Sequence, residues 1–402
     1  MKESKPSWSS DNGGAMLREL ISFVESHNGI NNKTALAKLV CEKFGCVRDR
    51  SVYYTKFFAI RFCKGQKQTD SICNTVLSLS ALQKYDDKPF VVCICTVGKN
   101  YLLLANTTFL SKISHSSKEL RIDNIRGSFN GSDILRSWGG VSNTPDNFKD
   151  LFELHKNITF EENLVRLVET TNNIIASGKP FDVTIGDRMI VIMQSPERAA
   201  RFAASCHYAD LLNDLNARTK AFENEILVAA CIENVNLRGR IIEYLIAGED
   251  KNMREQLINA LVTGNEFPRL LTRDGLGDYS KSYPDYNTET DIKTKILILE
   301  SAPKGYNIDK MLGFLSEKNS VFMMFFVGID YERKSMKTKL ISVFQNTLID
   351  NTLIQPHWAG RNSRGASQFN GEAVKRIILH ENNVVDIQKA KAFLELVTAM
   401  KK

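Results

Sequence analysis

Residues 282–299 read SYPDYNTETDIKTKILIL and decide the fold of the C-terminal half of the chain. Along a strand, residues two apart share one face, so Asp291 and Lys293 project to the same side while Ile292 points the opposite way. The last four residues, ILIL, are apolar on both faces. This pattern predicts a strand that begins at a polar edge and runs into the centre of a sheet covered on both sides.

The acids of this stretch predict a metal site at the polar end of the strand. Asp285 precedes the strand across the turn-rich segment YNTET, and a tight return of the chain is expected to bring its carboxylate beside Asp291. Two neighbouring carboxylates repel each other unless a cation lies between them, and hard oxygen ligands select Mg²⁺. Lys293 is then placed to orient or deprotonate a water molecule whose pKa the metal lowers. Asp278 is the alternative first acid.

The segment PDYNTETDIK resembles the PD-(D/E)xK signature shared by most type II restriction endonucleases and several repair nucleases. Pro284 and Asp285 match the PD pair, Asp291 matches the second acid and Lys293 the lysine. The helical stretch NLRGRIIEYLIAGE carries Glu243, which matches the upstream glutamate of that superfamily. The resemblance implies that Asp285, Asp291, Lys293 and Glu243 are catalytic, with Asp285, Asp291 and Glu243 as ligands of Mg²⁺.

This resemblance covers residues 237–345 and implies an α/β (α+β) fold, with a restriction-endonuclease-like mixed sheet flanked by helices. Only five residues separate Asp285 from Asp291, a shorter gap than most members of the superfamily have. Apolar periodicity predicts helices here at 237–247, 252–261 and 308–316. It predicts strands at 291–299, 320–330 and 338–344.

The function implied by the resemblance is that of a type II restriction endonuclease. Such an enzyme hydrolyses phosphodiester bonds of double-stranded DNA at specific sites, requires Mg²⁺ and leaves 5′-phosphate ends. Cutting both strands implies a homodimer, and a restriction–modification defence system implies a cognate DNA methyltransferase that is encoded nearby rather than bound. The alternatives are a strand-nicking DNA repair endonuclease and a DNA-binding regulator with an inactive nuclease-like domain.

Polar residues near and after this strand are expected to contact DNA. Lys295 shares a face with Lys293 and is placed to contact a phosphate, with an ordinary solvated lysine as the alternative. The segment HWAGRNSRGASQFNG, residues 357–371, is predicted to be a long polar loop, with an ordinary structural loop as the alternative. Arginine pairs with guanine, and asparagine or glutamine with adenine, in the major groove. The predicted DNA-contacting residues of this loop are Arg361, Asn362, Arg364 and Gln368.

The N-terminal half, residues 1–215, is predicted to be an α/β DNA-recognition or effector domain, with the nuclease domain at 216–402. Two helices are expected within residues 15–45, with Asn32 as an N-cap and Gly45 as a stop. The following segment is basic and aromatic, with six Lys or Arg residues against one acid between positions 48 and 67. Helices before a basic segment are compatible with a helix-turn-helix or winged-helix DNA reader, or with an ordinary solvated face.

Further elements of the N-terminal region follow from periodicity. A β-hairpin is predicted at 89–109, helices at 147–177, a strand pair in PFDVTIGDRMIVIM at 180–193, and a long helical region from 195 to 233. A breaker-rich strand-and-loop segment is predicted at 119–137, with Gly127 and Gly131 as the breakers.

Composition sets broad limits on function. The net charge of +7 supports nucleic-acid binding only weakly. The polar N-terminus shows no secretory signal, and no apolar run is long enough to span a bilayer. The eight cysteines include no CxxC pair that would indicate zinc, so free thiols in a reducing cytosol are expected. A cytoplasmic protein without a membrane partner is the expectation.

Overall fold

The structure is a computed structural model that describes residues 11–65, 77–78, 82–113, 128–270, 275–357 and 360–400. Packing divides the chain into two compact units, residues 1–177 with 357–361, and residues 178–356 with 362–402. The boundary therefore falls before the predicted 215/216. Arg198 shows the reason, because its guanidinium donates hydrogen bonds to the carbonyls of Leu315, at 2.9 Å, and Ser320, at 3.2 Å.

The first unit contains helices on both sides of a five-stranded sheet. Its helices are α1 (Asp11–Ser26), α2 (Lys33–Phe44), α3 (Phe148–Lys156) and α4 (Phe160–Asn172). Its strands are β1 (Val47–Asp49), β2 (Val52–Tyr54), β3 (Ala59–Lys64), β4 (Leu77–Ser78), β5 (Phe90–Cys95), β6 (Asn100–Leu104), β7 (Ser128–Phe129), β8 (Ser137–Trp138) and β9 (Val141–Ser142). The order of the main sheet is β1-β2-β3-β5-β6, in which only β3 and β5 run parallel.

Local sequence explains the start of this unit. The side chain of Asn32 accepts the backbone N–H groups of Thr34 and Ala35 at 3.0 and 3.1 Å, and Gly45 ends α2 in the left-handed region at φ 61°. Both predicted caps are confirmed, as is the hairpin formed by β5 and β6. The described part of the predicted basic segment, residues 48–67, ends at residue 65. The predicted breaker Gly127 also lies outside the described residues.

The second unit is built on a four-stranded and a three-stranded sheet. Its helices are α5 (Arg188–Met193), α6 (Ser195–Ala203), α7 (Cys206–Ala221), α8 (Glu223–Ala230), α9 (Val235–Ala247), α10 (Lys251–Thr263), α11 (Ile308–Leu315), α12 (Asn346–Asp350), α13 (Gly371–His380) and α14 (Ile387–Ala399). Its strands are β10 (Tyr279–Ser282), β11 (Asn287–Ile296), β12 (Lys304–Asn307), β13 (Ser320–Asp330), β14 (Ser335–Ser342), β15 (Thr352–Pro356) and β16 (Gly365–Phe369).

The larger sheet has the order β10-β11-β13-β14, and β11 runs parallel to β13 while the other pairs are antiparallel. Strand β13 is buried along its length up to Asp330. Phe322 and Phe326 face a core shared with α11, α13 and α14, whereas Met323 and Phe325 face a core shared with α7, α8 and α9. A parallel pair covered by helices on both faces accounts for the apolar run of β13.

Two predicted elements differ from the observed ones. The segment expected to form a strand pair at 180–193 ends in helix α5, in which Val191 and Ile192 are buried. A short apolar run such as RMIVIM does not distinguish a strand from a buried helix. The expected loop at 357–371 includes strand β16, which pairs with both β12 and β15.

The chain is therefore a mixed α/β protein, as predicted. Within the described ranges, no helix combines the length and the apolar character needed to cross a membrane.

Candidate active site

The candidate site lies where strand β11 loses one of its two neighbours. Strand β10 pairs with β11 only from Asn287 to Thr290, while β13 pairs with it along its whole length. Among the described strands, residues 291–296 thus have a partner on one side only. Residues 291–296 of β11 are buried or half-buried, so side chains at this unpaired edge are held by a rigid sheet.

Asp278 is carried to this edge by the segment that precedes β10. Its backbone N–H donates to the carbonyl of Thr290 at 2.9 Å, and its carboxylate Oδ2 accepts the N–H of Ile292 at 2.8 Å. The carboxylate therefore satisfies a β11 backbone donor that β10 leaves unpaired. Gly277 makes this approach possible, because a Cβ at that position would lie 2.7 Å from the Thr290 carbonyl oxygen.

Asp291 and Lys293 project from the same face of β11, as the strand pattern predicts. The ammonium Nζ of Lys293 donates to Oδ1 of Asp291 at 2.7 Å, and both side chains are largely buried. The other oxygen of Asp291, Oδ2, is buried and has no hydrogen-bond partner among the described residues. A buried acceptor without a partner commonly marks the position of a water molecule or an ion.

Glu243 reaches the same place from helix α9. The helix begins at the Asn234 side chain, which accepts the N–H of Leu237 at 3.1 Å, and Ile242 and Leu245 pack it onto the sheet. The electrostatic neighbours of Glu243 are Asp278 and Lys293 of the site and Arg240 of its own helix. We call Glu243, Asp278, Asp291 and Lys293 the acid end of the β10–β11 pair.

Burial and mutual repulsion shift the proton equilibria of the acid end. Burial raises the pKa of Asp291 to about 8, Lys293 opposes that shift, and Asp278 adds to it. Burial raises the pKa of Glu243 to about 7, again with Asp278 adding and Lys293 opposing. For Lys293, burial alone would lower the pKa, but Asp291 and the other two carboxylates more than offset it and the pKa is raised. Lys293 is therefore a cation at neutral pH in the metal-free protein.

Asp285 does not join this cluster. The chain turns back at residues 283–286, where the Tyr283 N–H donates to the Tyr286 carbonyl at 2.7 Å, so that Pro284 and Asp285 form the exposed tip of the hairpin. The register pairs Ser282 with Asn287, which lies roughly 13 Å along β11 from Asp291, and the tip lies beyond Asn287. Proline and aspartate are ordinary turn residues, and the expected return of Asp285 to Asp291 does not occur.

Lys295 differs most from its expected role. It shares the face of Lys293 but is fully buried, and its ammonium donates to the carbonyls of Leu299 and, at 3.0 Å, Ser301. A side chain enclosed in this way does not reach a DNA phosphate. Lys295 instead holds the chain where it leaves the end of β11.

Three of the four residues predicted to read bases also hold the fold together. Arg364 is largely buried, forms an ion pair with Asp309 and donates to the Phe181 carbonyl at 2.8 Å. The side chain of Asn362 accepts the Gly178 N–H at 2.8 Å, and that of Gln368 accepts from the Gln355 amide. Within this predicted set, Arg361 is exposed, and it forms no hydrogen bond or ion pair of this kind with the described residues.

The donor set of the acid end fits a hard divalent cation. Among the described residues, no three His, Cys, Asp or Glu side chains are arranged as a ready-made metal site. Mg²⁺ does not need such a cage, since it is usually bound by one or two carboxylates together with water and substrate phosphates. Asp278 and the unpaired Oδ2 of Asp291 supply two carboxylates of this kind.

Two residues that support the acid end did not emerge from the sequence motif. Gly277 sits directly before Asp278, and a glycine ahead of an acid at a strand start is the signal that marks it. Glu289 lies within β11, and in the sequence it cannot be distinguished from an ordinary surface acid of a strand. Its contacts with Gly277 and Ser280 are visible only in the structure.

Comparison of the chain with protein-family models, with curated proteins and with solved structures finds no match in any of the three.

Proposed function

We propose that the protein is a Mg²⁺-dependent endonuclease of double-stranded DNA with the PD-(D/E)xK arrangement of residues, working as a type II restriction endonuclease. In this proposal Asp278 takes the place of the first acid, which the sequence motif alone assigns to Asp285. Asp291 is the second acid, Lys293 the lysine and Glu243 the helix-borne glutamate. The second unit is then a restriction-endonuclease-like nuclease domain.

One observation carries the proposal. Four residues from three separate segments, a helix, a pre-strand segment and a strand, meet at the open edge of a mixed sheet. Placing three acids and a lysine together in a largely buried position is destabilising in the absence of a ligand. Such clusters of perturbed groups concentrate at functional sites.

The residues of the acid end have separate roles in the proposed hydrolysis. Asp278 and Asp291, with Glu243 beside them, would hold Mg²⁺, which supplies Lewis-acid stabilisation of phosphate charge and a water of lowered pKa. Lys293, which is cationic in the metal-free protein, would donate a hydrogen bond to the attacking water or to the scissile phosphate. Hydrolysis of the P–O3′ bond would leave 5′-phosphate and 3′-hydroxyl ends.

The first unit is the proposed recognition or effector domain. Its β1–β2 hairpin exposes Arg48 and Arg50, and the guanidinium of Arg48 lies over the ring of Tyr53 at 5.9 Å from its centroid. Basic and aromatic side chains on one surface favour contact with the nucleic-acid backbone and bases. Cutting both strands would use two nuclease sites, so a homodimer is part of the proposal, as is a separately acting methyltransferase.

The test is plasmid cleavage by purified protein in Mg²⁺ and in EDTA. Wild-type protein should convert supercoiled plasmid to discrete linear fragments in Mg²⁺ and leave it intact in EDTA. Asp291→Asn and Lys293→Ala should each reduce cleavage by at least about 1,000-fold, because each removes a group that acts on the reacting phosphate. Circular dichroism and DNA binding in EDTA should remain close to wild type.

The other outcomes separate the alternatives. Nicked circles without linear product indicate a strand-nicking repair enzyme, and binding without cleavage under all metal conditions indicates a regulator. Wild-type cleavage by either variant contradicts the assigned site.

A further inference from the structure

The acid end depends on residues 275–278, a short segment that has to lie against β11 for Asp278 to reach it. Pairing of β10 with β11 begins one residue later, with Tyr279 opposite Thr290. The segment is therefore attached at its end by the sheet and along its length by individual hydrogen bonds. Among the acids of β11, Glu289 supplies one of these bonds, to Gly277, and makes a second hydrogen bond to Ser280 of β10.

Glu289 spans Asp278 on both sides. Its Oε2 accepts the N–H of Gly277 at 3.2 Å, and its Oε1 accepts the hydroxyl of Ser280 at 2.6 Å. Glu289 is directly opposite Ser280 in the strand register. One carboxylate thus fixes the residue before Asp278 and the second residue after it.

This arrangement distinguishes Glu289 from the acids of the site. Each of its oxygens already accepts a hydrogen bond from the protein, whereas Asp291 Oδ2 has none among the described residues. The strand pair itself does not require Glu289, since backbone pairing from Tyr279 to Ser282 continues without it. Loss of Glu289 should therefore release residues 275–278 and leave the sheet in place.

We propose that Glu289 is a positioning residue that fixes the Asp278 carboxylate at the open edge of β11 and thereby sets the affinity of the acid end for a divalent cation. This inference rests on the proposed nuclease site. Groups that orient metal ligands typically contribute 10- to 100-fold in metal affinity. Gly277 acts together with Glu289, because the close approach to Thr290 and the hydrogen bond to Glu289 involve the same residue.

The experiment measures metal binding without DNA, by titrating metal-free full-length protein with Mn²⁺ in a calorimeter. Glu289→Ala should weaken Mn²⁺ binding about 10- to 100-fold, with circular dichroism and thermal unfolding close to wild type. Glu289→Gln should fall between the two, since glutamine keeps one oxygen acceptor and replaces the second oxygen with an NH₂ group, which donates hydrogen bonds and does not accept them. The matched control is Glu332→Ala, at an exposed glutamate of the same unit.

Two further readouts separate positioning from a general loss of stability. Raising Mg²⁺ should restore cleavage by Glu289→Ala, so that the metal concentration at half-maximal rate increases while the saturated kcat stays near wild type. Combined with Asp278→Asn, Glu289→Ala should have little additional effect on Mn²⁺ affinity, because Glu289 acts through Asp278.

The results that contradict this role differ from those that contradict the nuclease. Unchanged Mn²⁺ affinity in Glu289→Ala, or fully additive effects of the two substitutions, overturns the positioning role and leaves the nuclease assignment standing. If wild-type protein binds Mn²⁺ but cuts no DNA, the nuclease assignment is wrong. The effect of Glu289→Ala on Mn²⁺ affinity would still test the positioning role.

Discussion

Asp278 and Asp285 lie on either side of the same four-residue strand, β10, and have opposite surroundings. Asp278 contacts the backbone of β11 and shares a cluster with Asp291, Lys293 and Glu243. Asp285 lies at the exposed tip of the hairpin, next to a proline. The two ends of one strand pair thus separate Asp285, which the sequence motif assigns as the first acid, from Asp278, its alternative.

This difference shows that the pairing register of β10 and β11 determines which aspartate reaches Asp291. A hairpin brings residues together across the strands, so an acid before β10 meets the middle of β11, while an acid in the turn stays at the start of β11. The PD pair in this chain has the geometry of a turn, and the acid that reaches the site precedes β10. The following predictions test this contrast.

Replacing each of these two aspartates separately with asparagine should give the largest difference in plasmid cleavage. Asp278→Asn should reduce plasmid cleavage at least about 1,000-fold, because it removes a proposed metal ligand, while Asp285→Asn should stay within about twofold of wild type, in keeping with an exposed turn residue. Initial rates in Mg²⁺ provide the measurement. Loss of cleavage in Asp285→Asn with activity retained in Asp278→Asn would reverse the comparison.

The free energy of unfolding of the metal-free protein should depend on pH because of the raised pKa of Asp291. The pKa of Asp291 rises from 3.8 to about 8 on folding, so the folded state keeps a proton that the unfolded state releases between these values. The free energy of unfolding contributed by this group therefore falls as pH rises through that window. Asp291→Asn should be more stable than wild type by about 2–4 kcal/mol at pH 8 and nearly equal to it near pH 4.

Urea unfolding in EDTA checks this prediction, with Asp285→Asn at the turn end as the control. Adding Mg²⁺ should narrow the gap, because the ion binds the folded wild-type protein and stabilises it by mass action. An Asp291→Asn variant that is less stable than wild type at pH 8 contradicts the prediction.

The contrast extends to the two lysines on one face of β11. Lys295→Met should lower the free energy of unfolding by about 1–3 kcal/mol, since the Leu299 and Ser301 carbonyls lose their buried donor. Its cleavage rate per folded molecule should match wild type, whereas Lys293→Met should lose cleavage. Denaturant unfolding and active-site-normalised rates distinguish the two, and reduced DNA affinity in folded Lys295→Met would restore the phosphate role.

The smallest effect concerns the polar segment after β15. Arg361→Ala should weaken DNA binding about threefold at low salt, in keeping with one exposed cationic contact, while Gln368→Ala should leave binding unchanged because its side chain is engaged with Gln355. Fluorescence anisotropy in EDTA at two salt concentrations checks both. Equal losses in the two variants would indicate that the segment acts as a unit.

Long apolar elements were predictable because burial alone specifies them. The predicted strand at 320–330 matches β13, and the predicted helix with Glu243 matches α9 within two residues at its start. The pair Asp291 and Lys293 follows from the two-residue period of a strand. Helix α5 was predicted as a strand because its six residues are too few to show a helical period.

The remaining part of the site depends on contacts that no local pattern encodes. Placement of Asp278 depends on where the hairpin turns, and a proline–aspartate pair fits equally well in a turn or beside a metal. Burial of Lys295 depends on the chain folding back at Ser301, and that of Arg364 on Asp309, 55 residues away. Side-chain chemistry alone suggested DNA contact for both.

Strand β13 has a consequence for how the protein behaves when it is not folded. The run SVFMMFFVGI carries no charge and no proline, and it is flanked by Lys318 and Asp330 as its nearest charged neighbours. Segments with this composition form intermolecular β-structure readily when they are exposed. In the native sheet both edges of β13 are occupied, by β11 and β14. Substitutions that loosen β11 therefore expose an aggregation-prone strand. The soluble yield of such variants in cells should fall, through inclusion-body formation, before a loss of cleavage activity can be measured.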